Sequence, residues 1–120
     1  MSKLEEILQN KREREEKLKA SLGSVTKQLS DLGALRIVLF GSLAEGDVDV
    51  FSDLDLLVIM PPQKSGKEWA RLLYESIEPG IASDIIVYNQ KELQADLTTS
   101  GFLRSILASG RTIYEKALQT

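Results

Sequence analysis

The run Asp53-Leu54-Asp55-Leu56-Leu57-Val58-Ile59-Met60 constrains this chain more than any other stretch. It is too short to cross a bilayer, and it stops at Pro61–Pro62, which cannot donate to a β ladder. It therefore reads as a strand. Side chains alternate along a strand, so Asp53 and Asp55, two residues apart, project from the same face. Residues 35–41 (LRIVLFG), rich in β-branched and aromatic side chains, predict a strand before it. Residues 82–89 (ASDIIVYN) predict a strand after it, with Asp84 at its start. Residues 111–115 (RTIYE) read as a short last strand.

Between these runs the period changes to that of helices. Residues 67–77, with Trp69, Leu72, Leu73 and Ile77 on one face, predict a helix, and 93–97 and 102–109 read the same way. Residues 42–52 read as a loop with one helical turn at most. At the N-terminus, Leu4, Leu8, Leu18, Leu22, Val25, Leu29 and Leu32 form a helical stripe, interrupted by Lys11 and Glu15 within a charged run. Gly23–Ser24 is a candidate break, with Ser24 capping a second helix. The expected organisation is an N-terminal charged helix over 1–23 and one domain over 24–120. Its class is α/β or α+β, a small mixed sheet flanked by helices.

The chain has 120 residues and neither cysteine nor histidine. Disulfides, thiol chemistry, Cys/His zinc sites and imidazole catalysis are thereby excluded. Carboxylates, lysines and hydroxyls remain, and carboxylates favour a hard cation such as Mg²⁺. A net charge of −3 gives no general attraction to nucleic acid. The charged N-terminus does not resemble a secretory signal, so a cytoplasmic protein without membrane attachment is expected.

If the second and third strands lie side by side, Asp53, Asp55 and Asp84 meet at one edge of the sheet. Carboxylates that close raise one another's pKa unless a cation neutralises them. Gly41–Ser42 ends the first strand, where glycine allows a tight turn and serine offers a hydroxyl and an N–H.

Read together, GSLAEGDVDVFSDLDLLV (41–58) resembles the compound motif of the DNA polymerase β nucleotidyltransferase superfamily, most of all its minimal nucleotidyltransferases. The third acid, in SDIIVY (83–88), arrives after one helix, as in that family, and the ending SGRTIYEK is also similar. The resemblance implies a polymerase β palm-like fold. It implies that Gly41 and Ser42 hold the donor's phosphates, and that Asp53, Asp55 and Asp84 are both catalytic residues and metal ligands. It further implies two Mg²⁺ ions and ATP as cofactors, and transfer of AMP to a hydroxyl acceptor. The partner it implies is a HEPN-type toxin, acted on by an antitoxin-type enzyme. The alternative is a non-catalytic module that inhibits a partner by docking. The chain departs from the family at Leu43 and Glu45, where many members carry arginines that contact phosphate.

Other residues carry plainer expectations. A calcium loop from Asp47 fails, because Phe51 and Ser52 stand where a ligand and a glycine are needed, leaving Asp47 and Asp49 as solvated loop residues. Lys64, Lys67, Arg71, Arg104 and Arg111 are expected to solvate the surface. Trp69 is expected in the core, with Tyr88 and Tyr114 half-buried. The stripe on the first twenty residues suits core packing or pairing with a second copy.

Overall fold

Among the described residues the sheet is built outward from β2 (Leu54–Met60), a central strand. In a computed structural model describing residues 1–117, all its side chains are buried except that of Asp55. Residues 118–120 of the 24–120 span lie outside the described residues. β1 (Arg36–Phe40) pairs antiparallel with β2 on one side, and β3 (Ser83–Asn89) pairs parallel with it on the other. β4 (Arg111–Glu115) lies antiparallel against β1, giving the order β3-β2-β1-β4. A parallel pair cannot be joined by a tight turn. The chain crosses from β2 to β3 through α3 (Gly66–Ser76).

Helices cover both faces of this mixed sheet. On one face Leu18, Val25 and Leu29 of α1 (Lys3–Asp31), with Trp69, Leu73 and Ile77 beside β2, pack on Ile37, Leu39, Leu54, Leu56, Val58 and Met60. On the other face Leu103 and Ile106 of α5 (Gly101–Ser109) meet Val38, Leu57 and Ile59, flanked by Leu93 of α4 (Gln90–Asp96). Trp69 is a core residue, 8% exposed, whose indole N–H donates to the Pro61 carbonyl at 2.9 Å. Tyr88 and Tyr114 are half-buried, as their strand positions predict.

The expected break at Gly23–Ser24 does not occur, and α1 runs unbroken through both residues. A glycine in a helix costs about 1 kcal/mol relative to alanine. Buried Leu18 on one side of Gly23, and Val25 and Leu29 on the other, dock on the same core and outweigh that cost. Ser2 caps the start, accepting from the Glu5 N–H at 3.1 Å, with Glu5 and Glu6 favourably placed in the first turn. All residues from 1 to 13 are exposed, including Leu4 at 67% and Leu8 at 44%. The molecule extends 55 × 30 × 28 Å, and the leading half of α1 projects from the body.

The two halves of α1 should therefore differ in energetic weight. Leu18→Ala is expected to lower unfolding free energy by about 2–5 kcal/mol through an internal cavity. Leu4→Ala should stay within about 0.5 kcal/mol of the parent, as exposed positions do. Urea denaturation of the two variants measures both. Equal losses would mean that the leading half is packed as tightly as the rest.

Candidate active site

The register of β2 against β3 sets Asp55 directly beside Asp84. Paired residues of neighbouring strands point to the same face. Leu54, Leu56, Val58 and Met60 occupy the core beneath α1 and α3, so Asp55 belongs to the face carrying Leu57, Ile59, Ile86 and Tyr88. The apolar contacts of α4 and α5 lie further along that face, and its acidic corner stays accessible. Asp53 and Asp84 are exposed there, and Asp55 is partly covered.

Gly41 is fitted to this corner. β1 ends with Phe40 opposite Asp55, and α2 (Gly41–Glu45) begins at once. Gly41 has φ of 75°, in the left-handed region, and a Cβ there would overlap the Asp55 carboxylate. Both the turn and the close approach thus demand glycine. No side chain caps α2, so the N–H groups of its first turn are left for other partners. Ser42 is partly exposed and follows Gly41 into that turn.

The loop before the acids is braced by its own polar groups. The Phe51 N–H donates to Asp49 Oδ1 at 2.7 Å, and the Asp49 N–H to Ser52 Oγ at 2.9 Å. Asp49, expected only to be solvated, therefore shapes the approach to Asp53. Its side chain mimics a backbone turn, a habit of Asp that its position in the loop already permitted.

Burial first, then Asp84, then Asp53, push the Asp55 carboxyl above its ordinary range. Like charges here oppose one another, and nothing but oxygen donors is offered. That donor set fits a hard divalent cation, as does the electrostatic relief a cation would bring. Among the described residues, however, no three acidic side chains are gathered closely enough to enclose a metal. The spacing predicts convergence at one edge; the acids share a face and a corner without closing around a point. Unneutralised carboxylates repel, and Asp53 pairs elsewhere.

Its partner is Arg14, a residue that the sequence left unassigned within the charged run. Arg14 Nε donates to the Ser52 carbonyl at 2.8 Å, and Nη2 lies 3.7 Å from Asp53 Oδ1. The signal was faint: Arg14 stands one helical turn before Leu18, the first buried residue of α1. Lys64 lies over the Trp69 ring at 5.7 Å, and Arg104 donates to the Leu97 carbonyl at 2.8 Å.

The two departures in the motif have physical reasons. Leu43 is 6% exposed and packs in the core beneath α1, so a charged side chain at this position would be buried. Glu45 lines a cavity of about 590 Å³ together with Glu15, Lys19 and Arg111, where cations stand nearby.

The raised pKa of Asp55 makes a prediction with a definite sign. The unfolded chain releases this proton near 3.8, whereas the folded chain keeps it to higher pH. The folded state is favoured below that point and loses the advantage as pH rises through the folded value. At neutral pH the repulsion is fully present. Asp55→Asn should thus equal or exceed the parent in stability at neutral pH in chelator, with no gain below about pH 3.8. Urea unfolding at the two pH values decides it, and a clear loss at neutral pH would make Asp55 a structural residue.

Comparison with known proteins bears on the fold and the family. No curated protein sequence matches the chain significantly. A crystal structure of a provisionally assigned nucleotidyltransferase from Sulfolobus solfataricus superposes with a TM-score of 0.54 at 15% identity. The match covers 92% of this chain and 87% of that one, and at such identity it speaks for the fold. The profile of the nucleotidyltransferase domain matches residues 22–111, most of the chain and all of the corner just described. The chain therefore belongs to the nucleotidyltransferase domain family.

Proposed function

We propose that this nucleotidyltransferase moves AMP from ATP to a hydroxyl on a partner protein, with Asp53, Asp55 and Asp84 as its catalytic residues. The observation that carries the reading is the pairing of Asp55 with Asp84 beside Gly41. The acceptor oxygen attacks the α-phosphorus, the bond to the pyrophosphate oxygen breaks, and pyrophosphate leaves. The hydroxyl proton passes to a carboxylate of the corner, with Asp84, the exposed acid on the edge strand, best placed to take it. Gly41 and Ser42 present backbone N–H groups to the donor phosphates, and the rigid turn fixes them in advance. Divalent cations held by Asp53, Asp55 and Asp84, Mg²⁺ in the cell, would neutralise phosphate charge at that corner.

A protein acceptor is supported by the apolar side chains that the projecting part of α1 leaves exposed. A HEPN-type toxin, the partner implied by the motif resemblance, is the acceptor we propose. Leu4, Ile7 and Leu8 are exposed on α1 for contact with another chain. No helix among the described residues is long and apolar enough to cross a membrane.

Calorimetry tests the site directly. ATP binding should require Mg²⁺ or Mn²⁺ and weaken by more than about tenfold, or about 1.4 kcal/mol, in Asp53→Asn and Asp55→Asn. Labelled AMP should appear on the partner protein with the parent and not with Asp55→Asn. Equal ATP affinity in parent and variants would remove these acids from the site. A partner inhibited without any transfer would favour a docking module instead.

A further inference from the structure

Arg14 reaches from the N-terminal helix into the candidate site across a wide gap in sequence, and it makes two contacts of unequal quality. The bond from Nε to the Ser52 carbonyl, at 2.8 Å, has the length of a good hydrogen bond. The approach of Nη2 to Asp53 Oδ1, at 3.7 Å, is a loose ion pair, with the Asp53 side chain 53% exposed. Loose exposed pairs of this kind contribute little and exchange readily. Arg14 itself is better covered, its side chain 23% exposed, and its hydrogen bond to the Ser52 carbonyl orients the guanidinium, whereas Asp53 faces solvent.

The position of this contact matters. Residues 1–13 are all exposed and Leu18 is the first buried residue of α1, so Arg14 stands where the helix leaves the body. Among the described residues no three acids are drawn around one point, and Asp53 is the one bound to a cationic partner. Gathering Asp53 to a metal beside Asp55 requires it to turn away from Arg14. A divalent cation and a guanidinium cannot both be served well by the same carboxylate, since the two cations repel one another.

The geometry points to Arg14 as a positioning residue that holds Asp53 when no metal is bound and must yield it when one binds. This inference rests on the metal-site reading of Asp53 and Asp55 given above. Metal loading then exchanges one cation for another at Asp53. The hydrogen bond to Ser52 keeps the guanidinium at hand, so the exchange is reversible. Whatever draws the leading half of α1 away from Ser52 favours loading, which couples that half of the helix to the state of the site.

The test is Mn²⁺ binding by calorimetry on the full chain, in the parent, Arg14→Gln, Arg14→Lys and Asp55→Asn. Arg14→Gln should bind Mn²⁺ about two- to fivefold more tightly, the range expected for an exposed ion pair lost as a competitor. Arg14→Lys keeps the competing charge and should stay near the parent. A structural role through the Ser52 hydrogen bond predicts otherwise, with Gln and Lys alike and both weaker. Weaker or unchanged binding in Arg14→Gln, with binding still abolished in Asp55→Asn, would overturn the inference and leave the metal site standing. Absence of Mn²⁺ binding in all four proteins would overturn both.

Discussion

The covering of β2 on both faces is the constraint on which the molecule depends. Its backbone is hydrogen-bonded to β1 and β3, and helices seal the sheet above and below. A strand in that position tolerates a polar side chain only where the cover ends. Asp55 is at that limit, one residue inside the strand, with its neighbours Leu54 and Leu56 fully buried. The acid is thereby anchored by rigid, close-packed surroundings on one side and open to solvent on the other, a good platform for precise chemistry. Gly41 follows from the same constraint, because β1 must end beside Asp55 and no Cβ fits between the two.

Electrostatics adds a second layer. Folding covers Asp55 and sets it beside other acids, and its raised pKa reflects burial first and the like charges of Asp84 and Asp53 second. Burial and like charge are combined in this way at many sites that serve chemistry, and structural networks shift carboxyl groups as well. Asp49, a few residues away, accepts from the Phe51 N–H. Asp49 and Asp55 are thus two carboxylates on one short stretch of chain in opposite surroundings, one bonded to a backbone N–H and the other partly covered beside like charge.

Much of this was legible in the residues. Alternation put Asp53 and Asp55 on one face, the apolar runs located the four strands of the described residues, and the helical period over 67–77 gave α3 with Trp69 inward. Strand order was not legible, since nothing local to SDIIVY states which neighbour it takes; the register of Asp84 on Asp55 is a tertiary fact. The unbroken α1 was hidden for the same reason, because local propensity at Gly23–Ser24 points to a break and packing on both sides overrides it. Arg14 was least legible of all. In a run of alternating charges one arginine looks like the next, and only the sheet's position relative to the helix singles it out.

The crossover through α3 carries a consequence for how the molecule comes into being. Gly41, Ser42, Asp53 and Asp55 lie within a single antiparallel unit of adjacent strands, whose contacts are close along the chain. Asp84 arrives from beyond α3, through a longer loop closure of the kind that slows assembly. Docking of β3 presses Asp84 against Asp55, a step that charge resists and that burial of Ile85, Ile86 and Val87 drives. The acidic corner is thus completed by the pairing made across the α3 crossover, with the apolar residues that follow Asp84 offsetting the repulsion.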